Sequence, residues 1–292
     1  MTFRDSVELI ILAFVWGGSF LFMRIAGPEF GPVALVELRV AIAVMVLLPI
    51  LMTRSDLGEL RANWKTLTLL GALNSAAPFL LLTYSTLYIS GGLASILNAT
   101  APMFAAIIAW LWLADTLNGS RIAGLVIGFG GVYLLVWDKM SFVLGNTTLA
   151  ILAAILASAL YGFGGNYAKK YARRIKPLAI ATGSQLAAAI LLLPGAIVAW
   201  PKETVSPAAW LSIILMGVFS SGLAYILYFR LIASAGPTNA IMVTYLVPAF
   251  AMALGAIFID EVVTVTMLVG CAIILFGTAL ATGMLVLPRG RF

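Results

Sequence analysis

Polar side chains and aromatic rings recur at intervals of three or four residues within stretches that are otherwise apolar. Trp16 and Ser19 are three residues apart, as are Ser95 and Asn98, and Pro102 follows Asn98 by four. This spacing places the side chains on one face of an α-helix. Amide and hydroxyl groups there can hydrogen-bond a carboxylate or an ammonium group, and an aromatic ring can cover an apolar group or a cation. The pattern suits the binding of a small zwitterion with an apolar side chain.

The same residue types occur in six apolar segments and form the predicted substrate-binding set. It comprises Trp16, Ser19, Asn74, Tyr84, Ser95, Asn98, Tyr161, Asn166, Ser220, Ser221, Tyr225, Thr244 and Tyr245. Each position has a packing alternative, because polar side chains in apolar helices often hydrogen-bond a neighbouring helix. For Tyr84 and Tyr228 the alternative is an aromatic belt at the membrane interface.

Prolines, glycines and acids in or next to these segments are candidates for hinges and gates. They are Pro102, Pro248, Gly17, Gly162, Asp115 and Glu261. A proline inside a helix removes one hydrogen bond, so the two prolines are expected to free the carbonyl groups of Asn98 and Thr244. The two acids are expected either to cap the helix that follows them or to form gate contacts.

Several kinds of catalytic and cofactor chemistry are excluded by composition. The chain has no histidine and one cysteine, Cys271, so a Ser-His-Asp triad, an internal disulfide and the usual zinc and haem ligand sets cannot form. No Gly-x4-Gly-Lys-Ser/Thr loop is present, so ATP-driven transport is not expected. We therefore expect neither an enzyme, nor a cofactor, nor a metal site.

The elements that must carry these residues are membrane-spanning helices. Of the 292 residues, 63% are hydrophobic and 10% are charged, against roughly 25% charged residues in a soluble domain. The apolar runs are continuous and about twenty residues long, as a spanning helix requires and a barrel strand does not. Ten runs lie near 6–25, 32–53, 64–88, 90–114, 119–137, 147–168, 177–199, 207–232, 237–259 and 263–286. The predicted fold is an all-α polytopic membrane protein with ten transmembrane helices. The first helix is expected to be retained, because no signal-peptidase site follows it.

Lys and Arg are distributed unevenly over the connections between these runs. With the N-terminus in the cytoplasm, thirteen of them lie on the cytoplasmic side and three, Arg24, Lys139 and Lys202, on the outer side. Cytoplasmic connections of membrane proteins carry this excess, so both termini are expected in the cytoplasm. The same distribution accounts for the net charge of +6 without a nucleic-acid partner.

The two halves of the chain are similar to each other. A shift of 146 residues aligns Pro102 with Pro248, Asp115 with Glu261, Gly124 with Gly270 and Gly131 with Gly277. A shift of 145 residues aligns Trp16-Gly17 with Tyr161-Gly162 and Arg24 with Lys169. Each half has five helices, an odd number, so the second half begins on the opposite side of the membrane. We therefore predict inverted repeats at 1–140 and 146–292, with the substrate near the midplane where they meet.

Motifs in both halves are similar to those of a known transporter group. They are AFVWGGSF at 13–20, ELR at 37–39, SILNATAPMF at 95–104 and VTYLVPAF at 243–250. Over nearly its whole length the chain resembles the drug/metabolite transporter superfamily, in its ten-helix form with two EamA-type repeats. Asp115 stands where that family usually has Glu. The resemblance implies export of amino acids or other small metabolites, with YddG-like amino-acid exporters as the nearest type.

Glu8, Glu37 and Arg39 lie inside the predicted spans, and Arg24 and Arg230 lie near span ends. Glu8 is expected to be an interfacial charge, Arg39 a structural anchor and Glu37 a group facing an outer vestibule. No charge falls at the centre of a helix. The transport path is therefore expected to be lined by neutral groups, and the substrate to be bound without a fixed counter-charge.

The predicted function is secondary export of small metabolites, foremost neutral or aromatic amino acids, across the inner membrane by alternating access. The expected partners are the small-molecule substrate and membrane lipid, with no nucleic acid, and a monomer suffices. A drug or quaternary-ammonium exporter is the alternative within transport, although a cation would prefer a central acid. An integral-membrane enzyme would need clustered acids or a histidine pair, and a scaffold would not need polar residues facing inward on several helices.

Overall fold

The computed structural model describes residues 2–54, 57–137 and 145–285, which form helices and short connections without β-strands. α1 covers 3–30 and α2 covers 32–53, both within the helical stretch Phe3–Thr53. The helices after them are α3 (Trp64–Tyr88), α4 (Gly91–Leu113), α5 (Gly119–Val136), α6 (Asn146–Tyr171), α7 (Pro177–Val198), α8 (Pro207–Ala235), α9 (Val243–Ile259) and α10 (Val265–Ala281). Two short helices, Leu57–Ala62 and Pro237–Ala240, precede α3 and α9.

A single glycine separates α1 from α2. Gly31 has φ +68° and ψ 162°, a conformation that side chains with a Cβ rarely adopt. Pro32 follows it and lacks the backbone N–H group that would donate to the Pro28 carbonyl and continue the helix across this point. The chain therefore reverses direction without a loop, which fits its strongly apolar sequence.

Ten apolar helices account for the described part of the chain. Seven helical stretches are long and apolar enough to cross a membrane, and the break at Gly31 divides the first of them into two; α9 and α10 are shorter. The predicted ten-helix, all-α membrane fold is confirmed. The predicted outer charge Lys139, the cytoplasmic charges Arg289 and Arg291, and the repeat ends at 140 and 292 lie outside the described residues.

Two helix crossings of the same kind each join a helix of one half of the chain to a helix of the other half. A Cβ added to Gly17 in α1 would lie 2.7 Å from the Cβ of Phe250 and 3.0 Å from the backbone nitrogen of Ala251, both in α9. A Cβ added to Gly162 in α6 would lie 2.9 Å from the backbone carbon of Phe104 and 2.7 Å from the nitrogen of Ala105, both in α4. The internal repeat aligns the residues of the two crossings. In both, the absence of a side chain on the glycine lets the backbones of the two helices approach closely.

α5 and α10 form a separate pair at the edge of the bundle. A Cβ on Gly124 would overlap the backbone nitrogen of Ala281, and one on Gly277 would overlap the backbone of Gly128. Small residues allow helix backbones to approach this closely in a membrane, where dispersion contacts replace the hydrophobic effect. The role of packing is thereby assigned to these glycines.

Two helices change their hydrogen-bond pattern near their middle. α3 contains a π-helical segment at Ala72–Ala76, and α8 contains one at Met216–Leu223. A shift of 146 residues places the first segment inside the second. π-helical segments redirect carbonyl groups and side chains, and they are frequent at functional sites.

The first turns of α1 are attached to the last turns of α8. The Glu8 carboxylate pairs with Arg230 at 2.6 Å and with Arg4 at 3.0 Å. Ser234 donates a hydrogen bond to Asp5 at 2.8 Å. Glu8 thus has two cationic partners at the end of the bundle and does not lie in the central cavity described below.

Candidate functional site

A central cavity of about 500 Å³ lies among eight of the ten helices. Its wall comes from α1, α2, α3, α4, α6, α7, α8 and α9; none of the described residues of α5 or α10 contributes. The predicted residues on the wall are Trp16, Ser19, Asn74, Ser95, Asn98, Pro102, Tyr161, Gly162, Ser220, Tyr225 and Thr244. The structure therefore gathers residues from helices that are far apart in sequence around one space.

The wall is built largely from pairs of residues that the internal repeat aligns. A shift of 145 or 146 residues relates Trp16 to Tyr161, Asn74 to Ser220, Phe79 to Tyr225, Leu82 to Tyr228 and Asn98 to Thr244, and all ten line the cavity. Both halves thus contribute an aromatic ring and a polar group at positions that the repeat aligns. A ligand in the cavity would contact both halves at once.

The π-helical segment of α8 holds α1 in place. The Trp16 indole Nε1 donates a hydrogen bond to the Ser220 carbonyl oxygen at 3.2 Å, and the Ser220 hydroxyl donates to the Val15 carbonyl at 3.0 Å. The Trp16 ring also packs on Tyr228, with 5.4 Å between ring centroids. The Ser220 carbonyl lies within the irregular segment, and these contacts fix the Trp16 ring as one face of the cavity.

The π-helical segment of α3 is packed in the same manner against α6. A Cβ on Gly164 would overlap the Asn74 side-chain oxygen, so the absence of a side chain at Gly164 makes room for this amide. Next to Asn74, the Ser75 hydroxyl accepts a hydrogen bond from Gln185 of α7 at 3.1 Å. The Tyr225 hydroxyl faces Ser75 and Gln185. Polar contacts thus join α3, α7 and α8 directly behind the cavity wall.

Four residues of the predicted substrate-binding set lie outside the cavity. The Asn166 amide donates to the carbonyl oxygens of Ala105 at 2.8 Å and Gly162 at 2.9 Å, so it joins α6 to α4. Tyr84 packs on Tyr88 at 5.2 Å, and the Tyr245 hydroxyl lies 3.5 Å from that of Thr282. Ser221 faces α2 instead and accepts a hydrogen bond from Arg39. Helical spacing alone did not distinguish these positions from the wall positions, because it does not determine how each helix is rotated.

The two prolines have different surroundings. Pro102 lines the cavity and begins the second part of α4, after a turn at 99–100. Pro248 lies within α9 and does not line the cavity. Gly17 in α1 does not line the cavity either. The turn in α4 leaves the Leu97 carbonyl for side-chain donors, and Ser158 and Thr100 supply hydrogen bonds to it at 3.0 and 2.6 Å. The hinge role predicted for the prolines and glycines stays a prediction.

The acids Asp115 and Glu261 occupy aligned positions but differ in burial. Glu261 accepts hydrogen bonds from Arg24 at 3.0 Å and from the backbone nitrogen of Gly91 at 2.9 Å, and its side chain is 8% exposed. Asp115 pairs with Lys169 at 3.3 Å, and its side chain is 49% exposed. The repeat aligns Arg24 with Lys169, so the two ion pairs are equivalent contacts at opposite ends of the bundle.

Neither acid caps the helix that follows it. The N-terminal hydrogen bond of α5 is accepted by Asn118 and that of α10 by Thr264. Glu261 instead lies at the first turn of α4, in the other half of the chain, where the helix dipole favours an anion. The capping alternative considered for the following helices is therefore wrong, and the ion pairs connect helices that are distant in sequence.

Several wall residues were not in the predicted set. They include Arg39, Phe79, Tyr228, Phe229 and Ser184. Tyr225, Tyr228 and Phe229 are spaced as one face of α8, which is a signal that the sequence does contain. Arg39 is 4% exposed and lies on the wall, so the expectation of a path lined only by neutral groups is wrong at this position. The rotation of α2, which brings Arg39 to the cavity, is not encoded in hydropathy.

The arrangement is suited to holding a small ligand and not to covalent chemistry. The wall is mostly apolar and aromatic, with a few hydroxyl and amide groups, as in other small-molecule sites. Within residues 2–54, 57–137 and 145–285, no three His, Cys, Asp or Glu residues are grouped so that they could hold a metal ion.

Relatives with transporter names align with almost the whole chain. YvbV, an uncharacterized transporter of Bacillus subtilis (strain 168), is 24% identical over 277 residues, which cover 93% of this chain and 89% of the relative. A probable terminal-alkyne amino-acid exporter of Streptantibioticus cattleyicolor is 24% identical over 276 residues, covering 93% and 91% of the two chains. YedA, an uncharacterized inner membrane transporter of Escherichia coli (strain K12), is 26% identical over 290 residues, covering 97% and 93%.

The fold has also been observed experimentally. A crystal structure superposes on this chain with a TM-score of 0.68 and 17% identity, covering 97% of this chain and 98% of the other. At this identity the likeness shows the fold alone. The profile of the EamA-like transporter family matches the sequence twice, at residues 7–137 and 148–283. The chain therefore belongs to the EamA-like transporter family, and it is a multi-pass membrane transporter and not an enzyme.

Proposed function

We propose that the protein is a secondary transporter that exports neutral or aromatic amino acids across the inner membrane by alternating access. The observation that carries the proposal is the central cavity, which both halves line with aligned aromatic and polar residues. Its volume of about 500 Å³ suits a molecule of this size, since small-molecule sites span roughly 300–1,000 Å³. The probable amino-acid exporter among the relatives supports this substrate class.

The ion pairs at the two ends of the bundle support alternating access. At one end, the Arg24–Glu261 pair is largely buried and is strengthened by the backbone nitrogen of Gly91; Arg24 also donates to the Thr86 carbonyl at 2.6 Å. At the other end, both members of the Lys169–Asp115 pair are about half exposed. We interpret the first as a closed gate and the second, which is still paired but exposed to solvent, as the equivalent contact at the end that is open to solvent. During transport, the Arg24–Glu261 end would open to solvent while the Lys169–Asp115 end closed.

The Lys and Arg distribution assigns a direction to this arrangement. If both termini are cytoplasmic, the Arg24–Glu261 end faces the periplasm and the Lys169–Asp115 end faces the cytoplasm. The relative named as an inner membrane transporter supports the inner membrane as the location. The structure would then represent a state that is ready to load substrate from the cytoplasm.

Exchange in liposomes tests the proposed function. Purified protein is reconstituted into vesicles preloaded with unlabelled phenylalanine, leucine or tryptophan, and entry of the labelled amino acid is followed. We expect counterflow that protein-free vesicles lack. A protein that exchanges none of these amino acids but exchanges choline or a sugar would overturn the substrate assignment.

A pair of tyrosine variants adds a control within the protein. Tyr228 lines the cavity and contacts Trp16, whereas Tyr88 is exposed and lies outside the cavity. Tyr228→Ala should reduce counterflow about tenfold or more, because it removes aromatic surface from the ligand site. Tyr88→Ala should leave counterflow nearly unchanged, and equal effects of the two substitutions would count against this cavity as the transport site.

A further inference from the structure

The central cavity contains one charged side chain, and that charge has no ionic partner. Arg39 is 4% exposed and lies on the wall. No Asp or Glu is among the wall residues, and none of the described acids forms an ion pair with Arg39. Glu37, two residues earlier on α2, is off the wall. A buried cation without a counter-charge is strongly unfavourable in a protein interior, so its retention requires an explanation.

The guanidinium group is held by neutral neighbours that leave part of it free. Its Nε donates to the Ser221 hydroxyl at 2.6 Å, and its central carbon lies 3.7 Å from the centre of the Phe79 ring. The two terminal nitrogens have no hydrogen-bond partner among the described residues. Ser221 on the irregular segment of α8 and Phe79 on α3 thus fix the orientation of the group. A planar guanidinium with two free nitrogens is a rigid donor for a bidentate anion.

This charge is also an exception to the pairing of the wall. The repeat aligns Arg39 with Ser184, which lines the cavity on α7 and donates to the Ala181 carbonyl at 3.0 Å. At most aligned positions of the wall the two halves have similar residues. At this position the first half has a cation and the second half has a hydroxyl group. A symmetric packing function for the arginine would not need this difference.

An acceptor without a donor lies on the same wall. The Asn98 side-chain oxygen is buried and has no hydrogen-bond partner among the described residues. Buried polar atoms are normally satisfied, so an unsatisfied acceptor in a cavity indicates a missing donor. Asn98 therefore has an unsatisfied amide oxygen next to the cavity that contains the unused donors of Arg39.

We propose that Arg39 binds the carboxylate of the transported molecule, and that a carboxylate is the feature by which the carrier selects its substrates. The inference rests on the proposed function, since it names the group that an exported amino acid would offer. Rotation of the Asn98 amide toward the cavity lets its oxygen accept a hydrogen bond from the amino group, and the aromatic rings surround an uncharged side chain. Molecules whose only charge is positive are excluded, because the cavity has no carboxylate to pair with them.

Binding to the wild-type protein tests this inference without any substitution. The rise in unfolding temperature in detergent is measured with phenylalanine, with 3-phenylpropionate, which lacks the amino group, and with phenylalaninamide, which lacks the carboxylate. We expect phenylalanine and 3-phenylpropionate to bind, and phenylalaninamide to bind at least about tenfold more weakly, as the loss of one charge-assisted bidentate contact predicts.

Two substitutions at Arg39 complete the test. Arg39→Gln should abolish the difference between the acid and the amide, whereas Arg39→Lys, which keeps the charge without the bidentate geometry, should retain part of it. Unfolding temperatures without ligand show whether each variant is folded. If Arg39→Gln does not fold, Ser221→Ala, which frees the guanidinium from its anchor, should still weaken carboxylate binding severalfold.

The outcomes separate this inference from the proposed function. Equal binding of phenylalanine and phenylalaninamide, or no binding of any carboxylate, overturns the inference while amino-acid counterflow is judged by its own experiment. Arg39-dependent binding and exchange of 3-phenylpropionate without exchange of any amino acid supports the inference and overturns the amino-acid assignment.

Discussion

Among single residues, the asparagines Asn98 and Asn166 illustrate how position determines the use of one type of side chain. Both lie in the region where α4 and α6 cross. The Asn166 amide donates one hydrogen bond to α4 and one to its own helix, whereas Asn98 lines the cavity and its side-chain oxygen has no partner among the described residues. The contacts give Asn166 a structural role, whereas the position of Asn98 supports the ligand-binding role proposed for it.

Leucine substitutions should separate these roles. Asn166→Leu should lower the free energy of unfolding by about 1–2 kcal/mol, because it removes the hydrogen bond to the Ala105 carbonyl of α4 and the one to the Gly162 carbonyl of α6. Asn98→Leu should leave stability unchanged or slightly higher but weaken amino-acid binding about tenfold. Thermal unfolding and ligand titration on the same samples measure both quantities. A strongly destabilised Asn98→Leu protein with normal ligand affinity would contradict the assignment.

Among helices, the glycine crossings are the contacts most sensitive to added volume. At Gly162 the atoms that a Cβ would meet are backbone atoms of α4, which cannot move as a flexible side chain can. Gly130 in α5 has open space where its Cβ would be. The two positions therefore form a matched test of close packing.

Gly162→Val should reduce stability by about 1–3 kcal/mol and distort the cavity, since it separates α6 from α4. Gly130→Val should change stability by much less, limited to the lower helix preference of a β-branched residue. Unfolding in a mixed detergent and transport counterflow give the comparison. Similar losses for both substitutions would show that helix preference dominates over packing.

The helices themselves were predictable from sequence to within a few residues, whereas their irregularities were not. Long apolar runs have no stable alternative in lipid, so hydropathy located all ten spans. The π-helical segments around Asn74 and Ser220 depend on contacts with other helices, and no local residue pattern encodes them. Trp16 and Asn98, which helical spacing predicts to share a face with other polar groups, lie on the cavity wall. The rotation of α2 that brings Arg39 to the wall depends on contacts between helices, so the sequence pattern does not predict it.

Across the whole molecule, the proposed gates are the two ion pairs at opposite ends of the cavity, and their exposure differs. Met23 and Ala168 line the cavity at positions that the repeat aligns, one residue before Arg24 and Lys169. Met23 is 1% exposed, whereas Ala168 is partly exposed. Cys271 is buried, so replacing it with alanine gives a background for reporter cysteines at these two positions.

In that background, Glu261→Gln should increase the labelling rate of Met23→Cys by a membrane-impermeant maleimide about tenfold, because it breaks the ion pair with Arg24 in the closed gate. Asp115→Asn should change the labelling of Ala168→Cys by less than about threefold, since exposed ion pairs contribute little. Labelling is followed by mass shift in vesicles of known orientation. Unchanged labelling at Met23→Cys would contradict the gate assignment.

Substitution of the residue that the repeat aligns with Arg39 tests whether the cavity accepts a second cation. Ser184→Arg would place a second guanidinium at the position aligned with Arg39. We expect a loss of about 3 kcal/mol or more, because two buried cations would then lack partners. Ser184→Gln, which adds a neutral side chain of considerable size, should cost clearly less in thermal unfolding. Equal costs would indicate that added volume, not charge, limits this site.

The repeat aligns Arg39 with Ser184, and this difference between the halves bears on why the ten helices form one polypeptide. In a homodimer of five-helix subunits, two-fold symmetry would repeat every cavity residue, so the cavity would contain two arginines or none. Fusion of the halves into one chain removes this restriction, because each copy can then diverge independently. One guanidinium on one side of the axis gives a carboxylate a single defined orientation, which a symmetric dimer of identical subunits cannot provide.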